Sequence, residues 1–271
     1  IDNFVNMDAR SVISTIPLID EGFIKVLRKH NYNNKTLEVR KDIKISSLNY
    51  DLIHSICNEN GSCKSTNQII SWYSSQKVNY ELDVKTIPLS RLNSWNIDDN
   101  KIFSSNKYFS VIGVEVFAGT REVTSWTQPL IKDLNIGLLG FLTKKINGIL
   151  HFLIQAKVEP GNLDIIELSP TISCSNISNK EKTNEDSPAF YEFFNGNDNV
   201  RIVYDTIQSE EGGRFYHLQN RNVIVEIEEE KVLILPDNYI WMTLNQMNDF
   251  MKYSMFNIEA RSLVSSLNFI S

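Results

Sequence analysis

At about Tyr80 the spacing of the apolar residues in this chain changes, and nothing else in the sequence limits the fold as strongly. Before that point apolar residues recur every three or four positions, the repeat of a helix with one buried face. Residues 19–29, 50–59 and 66–76 follow this pattern, with polar breaks at 31–35 and 58–65. After it the spacing is two. Leu82, Val84 and Thr86 alternate with charged residues until Pro88 ends the run, and residues 108–117 are apolar on both faces, as in a central strand. Further strands are predicted over 121–128, 138–143, 149–159, 163–168, 200–207 and 223–228. A polar loop over 173–186 and a short helix around 189–194 interrupt them, and two amphipathic helices are predicted over 241–253 and 256–267. Many strands with helices gathered at the ends specify an α+β domain of mixed or antiparallel sheets with flanking helices, preceded by a helical segment.

A chain of 271 residues with 42% apolar content can bury a core of useful size. Its net charge of −6 argues against non-specific nucleic-acid binding, which needs a basic surface. No run approaches the ~18 apolar residues of a membrane helix, and no signal peptide is present. Cys57, Cys63 and Cys174 fit no common zinc or redox spacing and read as reduced thiols of a cytoplasmic protein.

The chain repeats itself once. Val5-Asn6-Met7-Asp8-Ala9-Arg10-Ser11 near the start is answered by Phe256-Asn257-Ile258-Glu259-Ala260-Arg261-Ser262 near the end. If each copy closes a module, residues 1–16 are the tail of a preceding module that is missing here, 17–77 a helical linking segment, and 78–271 one whole module. A first residue of Ile rather than Met agrees with a chain that has been trimmed or is a fragment.

Two polar stretches carry the chemistry: Gln155-Ala156-Lys157-Val158-Glu159-Pro160-Gly161-Asn162 and Gln208-Ser209-Glu210-Glu211-Gly212-Gly213-Arg214-Phe215. Each gathers an amide, charges of both signs and a glycine at the end of a strand-like run. Strand parity puts Leu150, Phe152, Ile154, Ala156 and Val158 on a core face of 149–159. His151, Gln155, Lys157 and Glu159 fall on the opposite face, which can line a pocket or face solvent. Adjacent carboxylates beside an arginine can supply an acid–base group and its electrostatic partner, or merely flank a Gly-Gly hairpin. Arg121, Arg214, Arg221 and Arg261 each offer a fork that fits diphosphate oxygens, and Trp126 a surface for a base or sugar. His30, His54, His151 and His217 lie in no metal-ligand spacing, and no phosphate-binding glycine loop, dinucleotide fingerprint or nucleophile elbow is present. Acid–base work without a metal or redox cofactor is the chemistry left.

The series Ser125-Trp126-Thr127-Gln128-Pro129, Leu150-His151-Phe152, the two polar stretches, Leu168-Ser169-Pro170-Thr171, Asn220-Arg221-Asn222, Trp241-Met242-Thr243-Leu244 and Asn257–Ser262 resembles the NDP-hexose 2,3-dehydratases, in order and spacing, over about residues 72–267. The resemblance implies a Nudix-like module, one of a tandem pair, each ending in an Asn-Met-Asp-Ala-Arg-like segment. It implies a nucleotide-linked 4-keto-6-deoxyhexose as substrate, usually on thymidine diphosphate, and no cofactor. The reaction removes the C3 proton, which the 4-ketone acidifies, expels the C2 hydroxyl, and gives a 3,4-diketo-2,6-dideoxy sugar. The Nudix signature itself is lacking, so metal-dependent diphosphate hydrolysis is not expected. At Ser175-Asn176-Ile177 a Tyr is expected after Ser-Asn, and its absence would alter the pocket.

The expected catalytic set is Glu159, Glu210 and Lys157, with Glu159 or Glu210 as the base. Lys157, Arg121 and Arg214 are candidates for diphosphate and enolate stabilisation. Substrate contacts are expected from Trp126, Gln128, His151, Gln155 and Asn162, from Ser169 and Thr171, and from Gln208, Ser209, Arg214 and Phe215. Asn220, Asn222, Arg121 and Arg261 complete that set. No metal, nucleic-acid or membrane partner is expected; a homodimer or a pairing with a second module is. A module that binds the sugar nucleotide without turning it over, and a sugar-nucleotide hydrolase, are the alternative readings.

Overall fold

The computed structural model describes residues 47–58, 60–104, 109–133, 135–175, 187–196 and 200–267. The helix expected over 19–29, the first copy of the repeat and most of the 173–186 loop lie outside them.

The architecture is α+β, with mixed sheets and helices. Helices α1 (Ser47–Cys57) and α2 (Thr66–Asn79) come first. Strands β1 (Trp95–Ile97), β2 (Lys101–Ser104), β3 (Phe109–Phe117) and β4 (Ser125–Asp133) then form an antiparallel four-stranded meander. Pro129, which has no N–H to give a ladder, is accommodated because β4 is an edge strand.

The larger, seven-stranded sheet holds β5 (Gly137–Ile146), β6 (Ile149–Lys157), β7 (Glu167–Ser169), β8 (Ile172–Cys174), β9 (Arg201–Ser209), β10 (Gln219–Ile227) and β11 (Tyr239–Thr243). Its order is β11-β6-β5-β10-β9, with β5 and β10 parallel and the other neighbours antiparallel. Asn147 and Gly148, both at positive φ, make the two-residue turn from β5 to β6, the backbone whose twist suits a tight hairpin. Past that turn β5 and β6 pair only as far as Thr143 and Phe152, then separate. Strand β7 pairs with β6 and β8 with β5 in the opening. Thr171 closes the fork: its hydroxyl accepts from Leu142 N at 2.8 Å and donates to Leu153 O at 2.5 Å.

Both faces of this sheet are buried at its centre, in β5, β6 and most of β10, while the edge strand β9 is largely exposed. Helices α1, α2, α3 (Leu244–Lys252) and α4 (Ile258–Ser265) cover one face, packing Leu52, Ile69, Met247 and Leu263 against Phe141, Phe152 and Ile154. A short 3₁₀ turn, Tyr191–Phe193, covers the other, with Phe190, Phe193 and Phe194 against Leu142, Leu153 and Val223.

Several expectations are corrected. The helix expected over 241–253 begins as strand β11. Thr243 ends that strand and also caps α3, since its hydroxyl accepts from Gln246 N and the Gln246 side chain accepts from Thr243 N. The alternation at Leu82, Val84 and Thr86 forms no strand: among the described residues no strand pairs with it, and Val84 is exposed. The strand expected over 163–168 is reduced to β7, the one over 121–128 starts later as β4, and the helix at 189–194 is the 3₁₀ turn.

Candidate functional site

Strand β6 ends in the first polar stretch, and its last residue, Lys157, is a node. Its Nζ lies 2.7 Å from Glu159 Oε1 and 3.8 Å from Glu259 Oε2, and donates to Ser173 Oγ at 3.0 Å. Three separate elements supply those partners. Glu159 sits in the turn after β6, where Asn162 N donates to Glu159 O at 3.1 Å and the Asn162 side chain donates to Lys157 O at 3.3 Å. Ser173 is in β8. Glu259 is in the first turn of α4, where a carboxylate suits the helix dipole. Asn257 caps that helix by accepting from Ala260 N, and its own N–H and the Met255 carbonyl pair with Leu168 of β7. The second copy of the repeated motif thus divides its labour: Asn257 caps, Ala260 is fully buried, and Glu259 faces Lys157.

The second polar stretch continues β9. Glu210 Oε1 accepts from Asn220 Nδ2 at 2.6 Å, and Gln208, opposite Asn220 across the ladder, donates to the Tyr204 hydroxyl at 2.6 Å. Asn220 is also opposite Gly137 of β5, where any Cβ would collide with Asn220 Oδ1. The glycine is what allows Asn220 to lie over β5 and reach Glu210.

Register relates the two clusters. Leu139 of β5 has Ser173 opposite it on one side and Asn222 on the other. Opposed residues point the same way, so the polar groups of β8 and of β10 share a face about 10 Å apart, two strand spacings. Lys157, through Ser173, and Glu210, through Asn220, therefore approach the same end of β5 from its two sides.

A third group comes from the smaller sheet. Trp126 Nε1 donates to Gln128 Oε1 at 2.7 Å, and Gln128 Nε2 donates to Gly213 O at 3.0 Å. Arg121 stacks over the Trp126 ring, 5.6 Å from its centre. Backbone bonds between Ile131 and the Arg214–Tyr216 segment bring β4 against the β9–β10 loop.

Other expected residues sit elsewhere or are engaged. His151 is fully buried, its Nε2 accepting from Cys63 N at 3.0 Å and its Nδ1 donating to Ile149 O at 2.8 Å. Burial holds this ring below the usual histidine pKa, against the bond to Ile149 O. Thr171 is the fork closure, and Asn222, also buried, donates to Asn220 O. Arg214 is exposed and pairs with Glu211 in its own loop. Arg221 grips Asp205 and donates to Phe194 O. Ser209 is exposed, Phe215 half-buried, and the Arg261 side chain reaches back to Asn257 O. Gln155 and Ser169 oppose each other across β6 and β7, and the buried Ser169 hydroxyl has no hydrogen-bond partner among the described residues. Ser173, Glu259 and Gly137 were not expected. Of these, Glu259 had a signal, the acid repeated within the Asn-x-acid-Ala-Arg motif.

An α+β fold with amides, carboxylates and an ammonium gathered at one sheet end defines a domain equipped for a polar, oxygen-rich ligand. This chain belongs to the NDP-hexose 2,3-dehydratase family, whose profile matches residues 66–267. It is 36% identical over 269 residues to a dTDP-4-dehydro-6-deoxy-alpha-D-glucopyranose 2,3-dehydratase of Saccharopolyspora spinosa, covering 98% of this chain and 52% of the relative. A protein of the same name from Streptomyces violaceoruber is 32% identical, covering 98% of this chain and 54% of that one. The chain thus spans about half the length of the curated relatives it matches. Among solved structures, the Ap4A hydrolase of C. elegans aligns at 13% identity and a TM-score of 0.32, covering 50% of this chain and 93% of that one. No shared architecture follows at that level. No helix among the described residues is long and apolar enough to cross a membrane.

Proposed function

We propose that this chain is a module of a dehydratase acting on a nucleotide-linked 4-keto-6-deoxyhexose, with dTDP as the carrier. The observation that carries the reading is the convergence of Lys157 and Glu210 on one end of β5, in a chain of this family. The 4-ketone makes the C3 proton removable. Glu210 is the better base of the two candidates: the neutral Asn220 amide orients it, whereas the charge of Glu159 is already neutralised by Lys157. Lys157 then faces the oxygen that gains charge in the enolate, and it donates a proton toward the departing C2 hydroxyl. One proton and one hydroxide leave as water, and the enol product tautomerises to the 3,4-diketo sugar without a net change of electrons.

The same reading takes 78–271 as one Nudix-like module, after a tail at 1–16 and a helical link at 17–77, in a cytoplasmic protein. It works paired with a second module or a second copy. Incubation with dTDP-4-keto-6-deoxyglucose, followed by mass spectrometry, tests the function: loss of one water is expected, and it should vanish in Glu210→Gln. Loss of water undiminished in that variant would remove Glu210 from the role of base. The coverage of about half of each relative favours one alternative, a module that binds the sugar nucleotide without turnover. Binding without water loss, even with a longer chain supplying the second module, would establish that alternative.

A further inference from the structure

Two carboxylates, Glu159 and Glu259, face one ammonium, Lys157, so the trio carries a net negative charge. The lysine is mostly shielded from water, with 23% of its side chain exposed. Glu259 is held independently of the lysine, and Glu159 by the position of its backbone in a closed turn. Glu259 accepts from Asn257 Nδ2 at 3.2 Å, and the start of its helix is tied to β7 by backbone bonds. Glu159 stands in the turn that Asn162 closes. An ammonium that binds diphosphate must keep its charge available, and two carboxylates at its side, Glu259 anchored by Asn257 and Glu159 paired with the lysine, repel the phosphate oxygens. The same carboxylates are a smaller obstacle to a sugar, whose carbonyl and hydroxyls are neutral in the bound substrate and whose enolate carries a single transient charge, fewer than a diphosphate; its oxygens can accept from the ammonium and its hydroxyls donate to a carboxylate. A cation without a carboxylate partner among the described residues lies at the far side of the site, in Arg121 over Trp126.

We propose that Glu259 is a positioning residue for Lys157, and that with Glu159 it assigns this ammonium to the sugar end of the ligand rather than to the diphosphate. The inference rests on the dehydratase reading for the ligand, but the hold of Glu259 on Lys157 does not. The substrate would then lie with its sugar between Lys157 and Glu210 and its diphosphate directed away from the Glu159–Glu259 pair. Ser173, the third partner of Lys157, fixes the direction in which the ammonium points.

The test uses the full chain, with the second module present if turnover requires it. Three readouts separate the possibilities. In Glu259→Gln, which keeps the bond from Asn257, kcat for the 4-keto sugar nucleotide should fall about tenfold with KM little changed. Glu259→Asp should recover part of the loss. The nitrogen resonance of Lys157 Nζ should move in Glu259→Gln while the thermal midpoint stays in place. Affinity for dTDP alone, which lacks the sugar, should be unchanged within about twofold in Lys157→Met. An unmoved Lys157 resonance with unchanged kcat overturns the positioning role. A loss of dTDP affinity of about tenfold or more in Lys157→Met overturns the assignment to the sugar end. Failure of the wild-type chain to bind dTDP or to act on the sugar nucleotide would instead strike the dehydratase reading, and the ligand assignment with it, while the resonance still reports on Glu259.

Discussion

Gly137 shows how far a single residue without a side chain can matter. Asn220 occupies the space a Cβ would take, and from there donates to Glu210. Gly137→Ala should push Asn220 aside and leave Glu210 without its orienting donor. A hydrogen bond to a charged group is worth roughly 1.5–3 kcal/mol, so kcat should fall at least about tenfold. Gly113→Ala in β3, where none of the described residues comes within 4 Å of the added carbon, should leave kcat unchanged and serves as the control. An unaffected Gly137→Ala enzyme would mean that Glu210 needs no such support. His151 makes a different point. Its ring is neutral in the fold because burial disfavours the charged form, while the unfolded chain takes up a proton near the ordinary value of 6.5. The stability from burying it neutral is therefore present above about pH 6.5 and lost as the pH falls below, because protons bind the unfolded chain more readily. Thermal midpoints measured from neutral pH down to about pH 5.5 should decline less in His151→Gln, whose amide can still accept from Cys63 N but cannot titrate. Parity along β6 had put His151 on the face that could line a pocket or meet solvent. It did so because alternation distinguishes two faces without telling whether each is covered, and here Leu153, one position pair away, lies in a second core.

At the scale of elements, the fork between β5 and β6 sets the site. Were the two strands paired to their ends, no room would exist for β7 and β8, and Ser173 could not stand between Lys157 and Leu139. Thr171 holds the fork from a fully buried position with one hydroxyl serving both strands. Thr171→Val keeps the volume but leaves the Leu142 N–H and the Leu153 carbonyl without that partner. Unfolding in urea should show a loss of about 2 kcal/mol, the penalty of unsatisfied buried polar groups; a loss of a few tenths would mean that the fork stands by packing alone. Spacing of the apolar residues made the helices and most strands legible in advance, since burial of one face or both is what periodicity records. The fork was not legible, because pairing partners far apart in the chain leave no local trace. The misread start of α3 is different: Thr243-x-x-Gln246 is a capping box written in the sequence. The apolar run across it masked a strand that passes straight into a helix. The Gln155–Asn162 and Gln208–Phe215 stretches stood out as candidates because polar groups at strand ends have few structural reasons to cluster. Glu259 and Ser173 join them only through the fold.

For the molecule as a whole, burial is unequal. Both core clusters belong to the larger sheet, and the four-stranded meander contributes little more than Leu130 to the buried apolar residues. The meander is held to the larger sheet at the β9–β10 loop, through Ile131 with Phe215 and Gln128 with Gly213. Amides that open locally exchange faster than those that open only with global unfolding. Hydrogen exchange should therefore be slowest in β5, β6 and β10 and fast across β1, β2 and β3. Function adds a second expectation. If one ligand spans the Lys157 and Glu210 clusters and extends toward Trp126, its binding must restrain the joint between the sheets. Addition of dTDP should then slow exchange in the 210–216 loop and in β4 together, while strands β1 and β2, remote from the joint, stay fast. Protection limited to the end of β6 and the start of α4, with the loop and β4 unchanged, would mean that the two clusters do not share a ligand. The meander would then be an attachment rather than a wall of the site.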